Sequence, residues 1–334
     1  MTDTNAEQTA AITLVEGVRR ALAWELAADP QVLVLGEDVG VNGGVFRATA
    51  TLQERFGPER VMDTPLAETM IAGVAVGMAV MGLRPVAEIQ FMGFIYPTVD
   101  QLVSHASRLR NRTRGRMSCP MVLRAPFGGG IHAPEHHSES TEAMFAHIPG
   151  LRVVIPSSPA RAYGLLLAAI RDPDPVVFLE PKRIYRRQKQ AVADDGEALP
   201  LDVCFTLREG RDLTLVTWGA MTLETLQVAD ELDAAGVSAE VIDIATLKPL
   251  DMDTILASVE KTGRCVIVHE AARSAGFGAE IAANLADQGL LSLLAPVQRV
   301  TGWDTIMPLA RSEHHYMPDT RRIHAAVRKV LEFG

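Results

Sequence analysis

The sequence predicts an α/β protein with two parallel-sheet domains. Three observations carry this reading. Short apolar runs alternate with helix-like segments through the first half of the chain. Such alternation implies a parallel sheet covered by helices on both faces. The polar stretch R-R-Q-K-Q-A-V-A-D-D-G-E-A-L-P at 186–200 then breaks the pattern, and the alternation resumes after it. This places a first domain at 1–185, a linker at 186–205 and a smaller second domain at 206–334. A chain of 334 residues is long enough for two domains of ordinary size.

The elements follow in order. In the first domain the runs at 32–36, 85–91, 121–126, 151–156 and 175–180 read as buried strands, being short, apolar and rich in β-branched residues. Helical patterns lie between them, near 12–28, 65–82, 97–113 and 159–171. In the second domain strands are expected at 212–218, 239–244, 264–270 and 297–302, with helices near 222–235, 251–261, 276–288 and 319–332. No internal repeat or low-complexity tract interrupts this order.

Bulk properties exclude some functions. With 48% apolar and 22% charged residues, the composition is that of a globular protein. The net charge of −9 argues against nucleic acid as a partner, because phosphate backbones require clustered Lys and Arg. No apolar run approaches the length of a membrane span. The polar N-terminus, M-T-D-T-N-A-E-Q, is neither a signal nor a transit peptide. Cys119, Cys204 and Cys265 are far apart in sequence, which suits free thiols in a reducing compartment. The expected location is the cytoplasm of a bacterium-like cell.

The most informative stretch is 61–94, V-M-D-T-P-L-A-E-T-M-I-A-G-V-A-V-G-M-A-V-M-G-L-R-P-V-A-E-I-Q-F-M-G-F. It reads as a small-residue helix followed by a strand that leads to Gln90 and Phe94. Thr64 suits a helix cap and Pro65 a first helical position. Glu68 then falls in the first turn of an apolar helix, either as a complement to the helix dipole or as a functional group. Gly73 and Gly77 lie one turn apart on a stripe of small residues, as close packing requires.

Other motifs carry less. Gly36–Gly44 follows a strand but fits neither a dinucleotide fingerprint nor a P-loop. His132, His136 and His137 invite a metal reading, yet no Cys or second spaced His pair completes a zinc set. His269-Glu270 is not H-E-x-x-H, since Arg273 stands where the second His would be. Asp172 and Asp174, in R-D-P-D-P, would by themselves simply end a helix and shape a turn.

Several long blocks resemble one family. D-T-P-L-A-E with I-A-G-V-A-V-G-M-A and R-P-V-A-E-I-Q-F is similar to the beta subunit of the thiamine-diphosphate-dependent 2-oxo acid dehydrogenases. So are G-E-D-V-G-V-N-G-G-V-F at 36–46, H-H-S-E-S at 136–140, H-I-P-G-L-R-V-V-I-P-S at 147–157 and A-A-I-R-D-P-D-P-V-V-F-L-E-P-K-R-I-Y at 168–185. The likeness runs from about Ile12 to Val330, in one order, which is far more specific than any single motif.

The resemblance implies a transketolase-like pyrimidine-binding domain followed by a transketolase C-terminal-like domain. It implies oxidative decarboxylation of pyruvate or a branched-chain 2-oxo acid, with reductive acylation of the lipoyl group of a dihydrolipoyl acyltransferase. An acetoin dehydrogenase beta subunit and a non-catalytic scaffold of the same fold are the alternatives. It places Glu68 on the aminopyrimidine of thiamine diphosphate, with Glu37, Leu66, Gln90 and Phe94 nearby, and makes His137 the active-site histidine. The family often has Gln where this chain has Glu139. The helix with Gly73 and Gly77 would lie at a subunit contact. A structural potassium ion would sit near Met121, Val122, Ala169, Asp172 and Asp174. The family's magnesium motif, G-D-G followed by Asn, is missing from this chain. The magnesium would therefore be held by an alpha subunit, in an assembly of two alpha and two beta chains.

Overall fold

The computed structural model describes residues 9–333. The chain divides into two compact units. One comprises the chain up to Phe127 together with Met144–Leu201, and the other Gly128–Ala143 together with the chain from Asp202 on.

The strands of the first unit are β1 (Thr9–Ile12), β2 (Val32–Gly36), β3 (Val61–Asp63), β4 (Arg84–Glu88), β5 (Val122–Phe127), β6 (Arg152–Val154), β7 (Val176–Pro181) and β8 (Gln190–Ala193). A parallel sheet runs in the order β6-β7-β5-β4-β2-β3. Every residue of β2, β5 and β7 is buried, which is why those strands are almost wholly apolar rather than alternating. The helices are α1 (Leu14–Ala28), α2 (Leu52–Phe56), α3 (Glu68–Val80), α4 (Leu109–Arg112) and α6 (Pro159–Arg171), while α5 (Glu142–Ala146) begins in the segment that belongs to the second unit. Helix α1 is pinned at its start by Glu16, whose carboxylate accepts from the Thr13 backbone N–H at 2.7 Å. These hydrogen bonds also hold the Glu16 carboxyl below its ordinary range.

Three differences from the sequence reading have physical causes. Helix α3 starts at Glu68, not Pro65. Thr64 donates its backbone N–H to Gly36 O at 3.0 Å and its hydroxyl to Pro65 O at 3.0 Å, so it extends the preceding loop instead of capping. The helix expected at 97–113 is a chain of short turns, with 3-10 geometry at Tyr96–Thr98 and Ala106–Arg108, a π turn at Gln101–His105, and only α4 regular. Side chains there compete for main-chain carbonyls: the Ser107 hydroxyl and the Arg108 guanidinium both donate to Val103 O at 3.0 Å. The segment 186–200, read as a surface linker, contains β8, which pairs antiparallel with β1. Pairing partners distant in sequence leave little local signal.

In the second unit the strands are β9 (Phe205–Arg208), β10 (Leu213–Thr217), β11 (Ala239–Asp243), β12 (Thr246–Lys248), β13 (Cys265–Val268) and β14 (Gln298–Val300). Its sheet runs β14-β13-β10-β11-β9, parallel except for the β9 edge. Helices α7 (Thr222–Ala234), α8 (Met252–Thr262), α9 (Gly278–Gln288), α10 (Glu313–Tyr316) and α11 (Thr320–Leu331) accompany it. Leu215, Val241, Val266, Ile323 and Val327 anchor its core. No helix among the described residues is long and apolar enough to cross a membrane.

Candidate active site

Within the first unit, strand ends and one helix start bring carboxylates together. Glu37 follows the last residue of β2, and Glu68 is the first residue of α3. Burial pushes the Glu37 carboxyl above its ordinary value, and the negative charges of Asp38 and Glu68 push it the same way. Glu37 and Glu68 are therefore electrostatic neighbours. Gln90 lies past the end of β4 and aims its Nε2 at Asp38 Oδ2, at 3.5 Å. Asp63 holds the intervening loop by accepting from the backbone N–H groups of Gly40 at 2.6 Å and Val41 at 3.0 Å. Its space admits no side chain at Gly40, where an added Cβ would lie 2.6 Å from Asp63 Oδ2. Phe94 sits in a 3-10 turn, not on a strand, with its ring 5.8 Å from that of Phe91. Leu66 is 71% exposed beside this cluster in sequence.

Behind the cluster lies an ionic network that the sequence reading missed. Arg124 on β5 donates to Glu88 Oε2 at 2.8 Å, to Glu180 Oε1 at 2.6 Å and to Glu180 Oε2 at 3.0 Å. The Tyr185 hydroxyl donates to Glu180 Oε2 at 2.6 Å. All four side chains are buried. Burial pushes the Glu88 carboxyl up and Arg124 draws it back. The signal was present: β4, β5 and β7 each carry a buried charged residue, Glu88, Arg124 and Glu180, among apolar neighbours, and the pairing register sets Glu88 opposite Arg124.

His137 belongs to the loop 128–143, which the second unit holds. The Glu313 carboxylate accepts from Gly130 N at 2.6 Å and His132 N at 2.9 Å. The Ser140 hydroxyl donates to Glu270 Oε1 at 2.9 Å, and Trp218 Nε1 donates to Glu142 Oε1 at 3.3 Å. His137 Nδ1 lies 2.9 Å from Glu135 O, and Glu139 reaches His136 Nδ1 at 3.7 Å. Burial, with the nearby charge of Glu270, pushes the Glu142 carboxyl up to about 8. His269, stacked on Trp218 with ring centroids 4.9 Å apart, is pushed down to about 3 by burial.

The residues of the expected potassium site are otherwise engaged in part. Asp172 accepts from Arg152 Nη1 at 2.9 Å, and Asp174 from Arg110 Nε at 2.8 Å. The Met121 carbonyl accepts from Val176 N at 3.0 Å, while Val122 opens β5 and Ala169 is buried in α6. Among the described residues, no group of three or more His, Cys, Asp or Glu side chains could hold a metal ion.

Thiamine diphosphate suits this donor set at one end only. The aminopyrimidine end fits, since Glu37 and Glu68 supply a carboxyl pair beside exposed apolar surface at Leu66 and Met70. The diphosphate end, which needs a hard cation bound by clustered oxygen ligands, has no such cluster of side chains among the described residues.

Comparison with known proteins identifies the domains and the family. Residues 10–188 match the transketolase, pyrimidine binding domain family, and residues 204–323 match the transketolase, C-terminal domain family. The chain is 50% identical to the pyruvate dehydrogenase E1 component subunit beta of Bacillus subtilis (strain 168), over 97% of this chain and 100% of that protein. It is 50% identical to the protein of the same name from Acholeplasma laidlawii, over 97% and 99% of the two chains. A split gene transketolase, solved as an inactive beta4 tetramer, shares the fold with a TM-score of 0.75 at 24% identity, covering 97% of this chain and 99% of that one. The chain therefore belongs to the family of the pyruvate dehydrogenase E1 component beta subunits, the 2-oxo acid dehydrogenase beta subunits built from a transketolase pyrimidine-binding domain and a transketolase C-terminal domain.

Proposed function

We propose that this chain is the beta subunit of a pyruvate dehydrogenase, completing the thiamine diphosphate site together with an alpha subunit in a heterotetramer of two alpha and two beta chains. The observation that carries the reading is the meeting of Glu37, just past the end of β2, with Glu68, the first residue of α3. Burial, with the negative charges of Asp38 and Glu68, pushes the Glu37 carboxyl toward its neutral form. Glu68 would meet the aminopyrimidine ring, with Glu37 beside it, and Leu66, Gln90 and Phe94 shaping the wall. Thiamine diphosphate, when bound, supplies the electron sink for decarboxylation. Magnesium at the diphosphate falls to the alpha subunit. A potassium ion near Met121, Val122, Ala169, Asp172 and Asp174 would rest on backbone carbonyls, because both carboxylates already meet arginines.

His137 is the proposed proton donor to the leaving sulfur when the lipoyl disulfide of the acyltransferase is opened, a step suited to a general acid. The choice of pyruvate, rather than a branched-chain 2-oxo acid, rests on the pyruvate dehydrogenase relatives at 50% identity. A cytoplasmic site of action belongs to the same reading.

The test is a reconstitution with the alpha subunit, assayed with pyruvate, with a branched-chain 2-oxo acid and with acetoin. Pyruvate should give the highest kcat/KM, and preference for either other substrate overturns the assignment. In the same preparation, His137→Ala should keep decarboxylation followed by an artificial electron acceptor and lose reductive acylation of the lipoyl domain. Equal loss in both assays would remove His137 from the acyl-transfer step.

A further inference from the structure

A cavity of about 380 Å³ opens between α1 and α2, lined by Arg19, Arg20, Trp24, Thr51, Arg55 and Asp194 among others. It shares no residue with the carboxyl cluster of Glu37 and Glu68. Its volume falls in the lower part of the range for small-molecule sites.

The charges in this cavity do not balance. Three guanidinium groups face one carboxylate, on a chain whose net charge is −9. Asp194 is already engaged, accepting from the Tyr163 hydroxyl at 2.9 Å. Arg20 Nη1 is buried and has no hydrogen-bond partner. Arg55 rests only over the ring of Phe56, 5.0 Å from its centroid. Among the described residues neither Arg19, Arg20 nor Arg55 forms an ion pair. Buried donors are nearly always satisfied, so an unpartnered guanidinium nitrogen calls for a missing acceptor.

The wall is a built feature. Gly196 packs directly on the Trp24 indole, where an added Cβ would come within 2.4 Å of Nε1, and its backbone sits at φ +74°. Its N–H donates to the Tyr163 hydroxyl at 2.9 Å, which fixes Trp24 and Asp194 relative to each other. One flat apolar wall thus stands beside a surplus of about two positive charges, counted from three arginines and one aspartate.

We propose that this cavity binds a small organic phosphomonoester, whose charge of about −2 near neutral pH matches that surplus. Planar guanidinium forks suit phosphate oxygens, and Trp24 offers contact to the organic part. The inference is independent of the function proposed above.

The experiment is a titration of the full-length chain with inorganic phosphate and with phenyl phosphate, read by tryptophan fluorescence and by the thermal midpoint. Both ligands should bind saturably, phenyl phosphate more tightly, and the midpoint should rise with ligand concentration. The fluorescence change should vanish in Trp24→Phe, while the thermal shift remains. Arg20→Gln and Arg55→Gln should each weaken binding by about tenfold or more, as loss of a charge-assisted hydrogen bond does. Arg55 lies on the exposed side of α2, so its variant tests the site even if Arg20→Gln fails to fold. Unchanged affinity in Arg55→Gln, a fluorescence change that survives Trp24→Phe, or no saturable binding would each overturn the proposal.

Discussion

A glutamate has no fixed chemistry of its own; its neighbours assign it, and this chain shows three assignments. Glu16 is held ionised by the N–H and hydroxyl of Thr13. Glu37 is pushed toward the neutral form by burial and by Asp38 and Glu68. Glu142 is buried entirely and pushed up to about 8. Replacing Glu68 by Gln should leave the fold intact, because Glu68 is half-exposed and makes no hydrogen bond within its unit that the fold depends on. In the reconstituted enzyme, hydrogen–deuterium exchange at the cofactor's reactive carbon should slow by about 100-fold or more, the scale of lost acid–base catalysis. Unchanged exchange would remove Glu68 from that role. Glu142 predicts a pH effect on stability. Its folded pKa of about 8 lies above the ordinary 4.5, so its contribution is full below 4.5 and is lost as pH rises through about 8. Glu142→Gln should flatten that alkaline decline in thermal midpoint. His269 acts on the other limb: pushed down to about 3 from 6.5, it costs stability as pH falls below 6.5.

At the scale of elements, three neighbouring strands share one ionic device. Arg124 on β5 lies between Glu88 on β4 and Glu180 on β7. Removing one partner from such a buried set leaves uncompensated charge, so Arg124→Met should cost about 3–5 kcal/mol of unfolding free energy. Denaturant midpoints check this, and a loss below 1 kcal/mol would show that Glu88 and Glu180 simply protonate. Helix α3 makes a different use of its two sides. Ile71, Ala72, Ala75 and Ala79 are buried, whereas Met70, Val74 and Gly77 lie on an exposed side continued by Met81, which is 82% exposed. Gly73 packs against Gln101 within its own unit, and a Cβ added at Gly77 would touch nothing within 4 Å. An apolar stripe of this kind commonly marks an association surface. Val74→Glu should therefore leave the thermal midpoint of the isolated chain near the wild-type value and abolish assembly with the alpha subunit in gel filtration. Assembly at wild-type concentration would place the contact elsewhere.

At the scale of the whole molecule, net charge and the division of labour between chains set expectations. An acidic chain suits a basic peripheral segment on the acyltransferase, docked through residues after about 205. Such binding should weaken steadily from low to near-molar salt, because exposed charges are screened over a few ångströms. A titration showing no salt dependence would overturn the electrostatic account. The absence of the G-D-G magnesium motif from the sequence predicts that the isolated chain binds no thiamine diphosphate in calorimetry, with or without magnesium.

The sequence alone determined the alternation of strands and helices, and with it the α/β class. Strands buried on both faces must be continuously apolar, and their runs are visible without neighbours. It also singled out Glu68, because a carboxylate opening an apolar helix is conspicuous, and its blocks of residues pointed to the family. What it could not decide depends on contacts between distant segments. The pairing of β8 with β1 and the late start of α3 under the grip of Gly36 on Thr64 are settled by non-local hydrogen bonds. So is the placing of Arg124 between two glutamates, which depends on strand register. Periodicity records which face of an element is buried; only the tertiary structure decides what each buried polar group meets there.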